Sequence, residues 1–195
     1  DPGQRVDVSK KFPKVVERLN KRKDFFQRKV LDKVREDNRA FVIGHPGVSW
    51  TQIPARDGIA HGEIKRSNKF PNCSHFLNWK NEEDSISWDV EVGKSGKYEV
   101  ELWYTSRKKD LGAVIELSMN GKSVVATITK PNDPPLVGMK EDRSPRNESY
   151  YKDFRPMKMG SIELVKGKGE LKLRALKIPG EQAIEFRLLM LQRKG

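Results

Sequence analysis

The chain has 195 residues, a formal net charge of +12, 35% hydrophobic and 34% charged residues, which describes one polar domain of ordinary size or a small domain with an appendage. No apolar run approaches the roughly 18 residues needed to cross a bilayer, so a membrane span is excluded. The single cysteine, Cys73, excludes an internal disulfide and a multi-cysteine zinc site.

The opening residues, DPGQRVDVSKK, lack the apolar centre of a secretory signal, so the chain is expected to start as a mature product or a cut piece. Residues 12–39 read as helix. Pro13 suits a first helical position, and Phe12, Val16, Leu19, Phe26, Val30 and Val34 recur at steps of three, four or seven. Lys23 interrupts this stripe, which argues against a long two-stranded coil and for one apolar face packed on a neighbouring body. Residues 1–40 hold 13 Lys/Arg against 7 Asp/Glu, half of the net excess, and the other half is spread with mixed signs along the later strands. There is no zinc-finger spacing, RNP-like aromatic strand or glycine-rich phosphate loop. Nucleic acid is therefore not expected as a partner. A solvated basic surface or attraction to another polyanion accounts for the charge.

Residues 44–80 carry two of the four tryptophans, the only cysteine and all three histidines. They read as the entrance to a β-domain and not as a catalytic centre. Trp50 and Pro54 are expected to anchor the crossing by packing, Trp79 to lie on a rim loop, and Cys73 to be an inert or buried thiol.

From there the period changes from 3.6 to 2. A strand is expected near GIAHGEIK. In SISWDVEV, Ile86, Trp88, Val90 and Val92 share one face, which marks Trp88 as core. In KYEVELWYT, Tyr98, Val100, Leu102 and Tyr104 share a face, while Glu99, Glu101, Trp103 and Thr105 oppose them. AVIELSMNGKSVVATIT reads as a hairpin, because Asn120 and Gly121 accept the positive φ of a tight type I′ turn. Residues 130–159 then form a long connection whose five prolines exclude a central strand. Asp133, Asp142, Asp153, Arg143, Arg146 and Arg155 are available to lace it with salt bridges. Strands GSIELV and GELKLRAL follow, with a turn at Gly167, Lys168 and Gly169, and AIEFRLLMLQR ends the series. About eight short alternating strands without intervening helices predict a mainly β fold, an antiparallel jelly-roll sandwich preceded by one N-terminal helix.

These segments carry a resemblance. DPGQRVDVSKKFPKVVERL is similar to the end of the catalytic domain of bacterial arylsulfatase-type sulfatases. TQIPARDG, DPPL, SYYKDF and LKLRALKIPG resemble the C-terminal extension of such enzymes. SWDVEVGKSGKYEVELWYT followed by the Asn-Gly hairpin resembles family-six carbohydrate-binding modules and the wider galactose-binding-like group. The resemblance implies residues 1–45 as a helical tail of the sulfatase domain and residues 46–195 as a β-sandwich accessory domain. It also implies a periplasmic or extracellular protein. A parent sulfatase would use calcium and a formylglycine made in a C/S-x-P-x-R motif. Cys73 is followed by Ser-His-Phe and Ser144-Pro145-Arg146 has the wrong spacing, so no catalytic residue is carried over. Family-six modules hold a structural calcium near their first and last strands. Glu63 and Glu185 lie in those regions, but one acidic residue at each end assigns no metal residue.

The function expected from these observations is a non-catalytic module of a sulfatase, packing on the catalytic domain or weakly binding sulfated or other anionic polysaccharide. Trp103 is the first candidate platform for a sugar ring, since alternation places it outward with Glu99 and Glu101. Trp79 and Tyr151 come next as loop aromatics, with Tyr150 beside them. A purely structural sandwich without glycan affinity is the main alternative. A polysaccharide lyase or hydrolase in its own right would need a convergent acid–base group, and the carboxylates of Glu99, Glu101 and Glu116 occupy only outward strand positions.

Overall fold

The computed structural model describes residues 3, 5–34 and 38–194. The chain divides into two compact units, Asp1–Arg39 and Ala40–Gly195. The first unit is built on helix α1 (Pro13–Phe26), which starts at Pro13 as the fixed φ of proline favours. It continues through a π-turn at Gln27–Leu31 and a last turn at Asp32–Val34. The helix expected at positions 35–37 lies outside the described residues, and residues 38–40 are not helical. The apolar stripe was expected to be covered, yet Val16 is half-buried and Leu19, Phe26 and Val30 are exposed. The wider π-turn adds a residue to one turn, so Val30 and Val34 leave the line that Phe12, Val16, Leu19 and Phe26 begin.

The second unit is a sandwich of two six-stranded sheets. Its strands are β1 (Phe41–Ile43), β2 (Trp50–Pro54), β3 (Ile59–His61), β4 (Lys65–Arg66), β5 (Phe76–Leu77), β6 (Ser85–Val92), β7 (Gly96–Thr105), β8 (Val114–Met119), β9 (Lys122–Thr127), β10 (Arg155–Leu164), β11 (Gly167–Lys177) and β12 (Glu185–Arg193). One sheet runs β1-β6-β11-β8-β9, with β3 also on β6. The other runs β10-β7-β12-β5-β4, with β2 also on β12. The pairing is antiparallel except for β1 on β6, which is parallel.

The long alternating runs form the expected strands. Ile86, Trp88, Val90 and Val92 of the first sheet and Tyr98, Val100, Leu102 and Tyr104 of the second are all buried in one core. Trp88 is 1% exposed, sets its ring edge-on to Phe186 with centroids 5.8 Å apart and donates to the Pro54 carbonyl. The β8–β9 hairpin closes with Met119 opposite Lys122, and both Asn120 (φ 48°) and Gly121 (φ 78°) are left-handed.

Three short strands, β1, β2 and β5, are absent from the sequence reading because two to five residues give no measurable period. β1 belongs to the sandwich unit and lies before residue 46, where the resemblance sets the domain border. The turn expected at Gly167–Gly169 is displaced. The chain passes from β10 in one sheet to β11 in the other at residues 165–166, and Gly167 already pairs with Val92. β10 also starts earlier than expected. It tolerates Pro156 because it is an edge strand, and a bulge between Lys158 and Gly160 adjusts its register on β7. Of the charges expected to lace the long connection, Asp142 and Arg146 pair at 2.7 Å and Arg155 donates to the Pro131 carbonyl.

Candidate functional site

The outer face of the second sheet lies opposite the core. Three rows cross it in register. Trp50, Gln192, Glu99 and Ser161 stand side by side on β2, β12, β7 and β10. Gln52, Met190, Glu101 and Lys158 form the next row, then Pro54, Leu188, Trp103 and Pro156. Strand alternation puts all of these on the face opposite the core residues Val100, Leu102, Leu189 and Leu191.

The first row and, from the second, Glu101 and Lys158 border a groove of about 320 Å³, to which Lys194 and Gly160 contribute. Trp50 at its end is 43% exposed. Lys194 Nζ lies 2.9 Å from Glu99 Oε2. The groove thus offers an aromatic face next to two carboxylates, two ammonium groups, an amide and a hydroxyl. An apolar platform with polar groups beside it suits a pyranose ring, whose C–H face is apolar and whose hydroxyls take hydrogen bonds. The charges balance, two against two.

The three aromatic candidates from the sequence fall elsewhere. Trp103 does lie on the outward face with Glu99 and Glu101. It is half-buried between Leu188 and Pro156 in the register, and its buried Nε1 has no hydrogen-bond partner among the described residues. It does not line the groove. Trp79 is no rim residue: it is 0% exposed and part of the core, with its carbonyl accepting the Ala183 N–H at 2.8 Å. Tyr151 is exposed on the long connection, where its carbonyl accepts from the Val137 N–H. Tyr150, beside it, is covered by the Arg146 guanidinium, 4.5 Å from the ring centroid. Trp50, expected to pack, is instead the exposed tryptophan. Its β2 pairs with the far edge of β12, so its position outside the core is set by a partner 142 residues downstream, Gln192.

A second cavity, of about 330 Å³, lies under the long connection at the start of β12. Its floor is a buried polar cluster. Glu185 accepts from Lys152 Nζ at 2.6 Å and from the Thr105 hydroxyl at 2.7 Å, and His75 Nε2 is 4.0 Å away. Burial alone would raise the Glu185 carboxyl, but the Lys152 ammonium and the Thr105 hydroxyl hold it below the usual carboxylate range. His75 is 4% exposed, and burial pushes its imidazole below the ordinary 6.5 against the pull of Glu185. A histidine depressed in the folded state takes its proton more readily in the unfolded chain. Stability is therefore expected to fall as the pH drops through 6.5, whereas the Glu185 contribution persists to lower pH. Urea midpoints measured from about pH 7.5 to about 5.5 should decline, and His75→Gln should flatten the decline. An unchanged slope in that variant would move the acid sensitivity to another group.

Glu63 and Glu185 are the acidic residues that the sequence places near the first and last strands. Glu63 is exposed, Glu185 is already engaged by Lys152, and no group of three or more His, Cys, Asp or Glu among the described residues is arranged to hold a metal.

No protein-family model and no curated protein matches the chain. Solved structures do. A family 35 carbohydrate-binding module from Clostridium thermocellum matches with a TM-score of 0.51 at 14% identity, over 75% of this chain and 100% of that one. The C-terminal family 6 module of a laminarinase from Zobellia galactanivorans matches at 0.51 and 9%, over 74% of this chain and 99% of that one. The Cry4Aa toxin from Bacillus thuringiensis matches at 0.55 and 14%, over 75% of this chain and 24% of the toxin, so the chain spans about a quarter of that protein. At such identities the likeness shows the fold alone, a β-sandwich like that of these two carbohydrate-binding modules.

Proposed function

We propose that residues 40–195 are a non-catalytic carbohydrate-binding module that seats a sugar ring on Trp50 in the outer groove of the second sheet. The observation that carries this reading is the exposed indole of Trp50 at the end of a row of polar side chains, Gln192, Glu99 and Ser161, in a groove of sugar-binding size. One stacked ring and a few polar contacts leave a small surplus over the entropy of association, so Kd values of about 0.1–1 mM are expected. Isothermal titration with laminarin, mannan and xylan oligosaccharides tests it, with tryptophan emission as a second readout. Trp79 and Trp88 are buried, so an emission change on binding reports on Trp50 or on the half-buried Trp103, and Trp50→Ala tells the two apart. No heat and no emission change with any of them, nor with their sulfated forms, would leave the structural sandwich without glycan affinity as the better reading.

The balanced charge of the groove favours neutral rings at the groove itself; a preference for sulfated chains, which the net charge of +12 suggests, needs cations elsewhere. Attachment to a sulfatase rests on the sequence segments DPGQRVDVSKKFPKVVERL, PARDG and YYKDF alone. A C/S-x-P-x-R motif in the same open reading frame would establish it, and a frame coding for a different enzyme would remove it. A module for polysaccharide works where polysaccharide is, in the periplasm or outside the cell. No described helix is long and apolar enough to cross a membrane.

A further inference from the structure

At the free edge of the second sheet, next to the groove, lies a smaller cavity of about 210 Å³ lined by Tyr104, Lys130, Arg155, Met157 and Lys158 among others. Lys158 lines both this cavity and the groove. No carboxylate lines the cavity. Among the described residues, neither Lys130, Arg155 nor Lys158 has a carboxylate oxygen within 4.0 Å, whereas Arg107, Arg146, Lys152 and Arg174 are each paired. Three basic residues and no acidic one line this cavity, and an anion seated there meets no like charge.

The site is also held in shape. The Tyr104 hydroxyl donates to the Lys130 carbonyl at 2.7 Å, and Arg155 Nη1 donates to the Pro131 carbonyl at 3.3 Å. The first bond ties the end of β7, and the second the start of β10, to the segment that follows β9. The guanidinium is fixed by one nitrogen, and its remaining N–H groups have no partner among the described residues. A planar fork with free donors is the geometry that takes two oxygens of a sulfate or carboxylate.

We propose that the cavity of Lys130, Arg155 and Lys158 is a subsite for an anionic substituent, a sulfate ester or a uronic carboxylate, on a glycan whose neighbouring ring lies in the Trp50 groove. It rests on the groove reading and extends it. The neutral groove holds the ring, and the cationic cavity beyond Lys158 selects the charged member of a chain.

The test uses one backbone in three forms: laminarin, its sulfated derivative and its C6-oxidised uronate derivative, titrated at physiological salt. The parent chain should bind at least one charged form about tenfold more tightly than neutral laminarin, as a charge-assisted bidentate contact implies. The sulfated and oxidised arms show which anion is preferred. Arg155→Met should remove the preference and leave the affinity for neutral laminarin unchanged. Lys130→Met should reduce the preference, which guards against a folding defect peculiar to Arg155→Met. Lys172→Met removes one charge from the other sheet and should change nothing. An equal loss in Lys172→Met means diffuse attraction and overturns the subsite, as does no preference in the parent chain. If Trp50→Ala abolishes neutral binding while Arg155→Met alters nothing, the groove stands and the subsite fails. If Trp50→Ala leaves binding intact but Arg155→Met removes the charged preference, the groove fails and the anion site stands alone.

Discussion

Trp79→Ala is expected to cost about 3–5 kcal/mol of folding stability, the range for truncating a fully buried aromatic ring. In a domain of this size that lowers the melting temperature by about 6–20 °C. The expectation follows from an exposure of 0% and a place in the core shared by both sheets. A companion variant separates ring volume from ring chemistry. The Trp79 Nε1 is buried and has no hydrogen-bond partner among the described residues, so the indole carries an unmet desolvation cost. Trp79→Phe removes that donor and keeps most of the ring, and should stay within about 1.5 kcal/mol of the parent. Differential scanning calorimetry on both variants decides it. A mild effect of Trp79→Ala would return the residue to the rim.

Trp50→Ala should show the opposite profile. Removing a ring that is 43% exposed should move the melting temperature by no more than about 2 °C, because surface truncations cost about 0.5 kcal/mol. Affinity for the oligosaccharides should fall by at least about tenfold, and the ligand-induced change in tryptophan emission should disappear. Trp103→Ala is the informative contrast. Trp103 is half-buried and outside the groove lining, so its truncation should lower stability more than it lowers affinity. If Trp103→Ala abolishes binding without loss of stability, the platform sits where strand alternation alone had placed it, and the Trp50 groove is wrong.

These two tryptophans mark where the sequence stops being informative. Within a long strand, alternation is enough. It separates Ile86, Trp88 and Val90 from their polar neighbours and places Trp103 on the face of Glu99 and Glu101, as the structure has it. The Asn120–Gly121 hairpin is equally local, because a two-residue turn with both φ positive admits few residue pairs. The helix start at Pro13 is of the same kind.

The sequence by itself therefore determined the mainly β class, the inward faces of the long strands and one turn, all of which depend on contacts within about ten residues. Only the tertiary structure decided the rest. Trp50 and Trp79 sit in irregular, polar surroundings with no period to read, and their fates depend on which distant strand comes alongside. β2 joins the outer edge of β12, leaving Trp50 open. The segment before β6 is held by Ala183, which leaves Trp79 enclosed in the core. The groove draws its residues from positions 50, 99, 101, 158, 161, 192 and 194, brought together by sheet pairing across more than a hundred residues. Alternation specifies a side of a strand; which strands become neighbours is settled by long-range burial, and that is where this site is made.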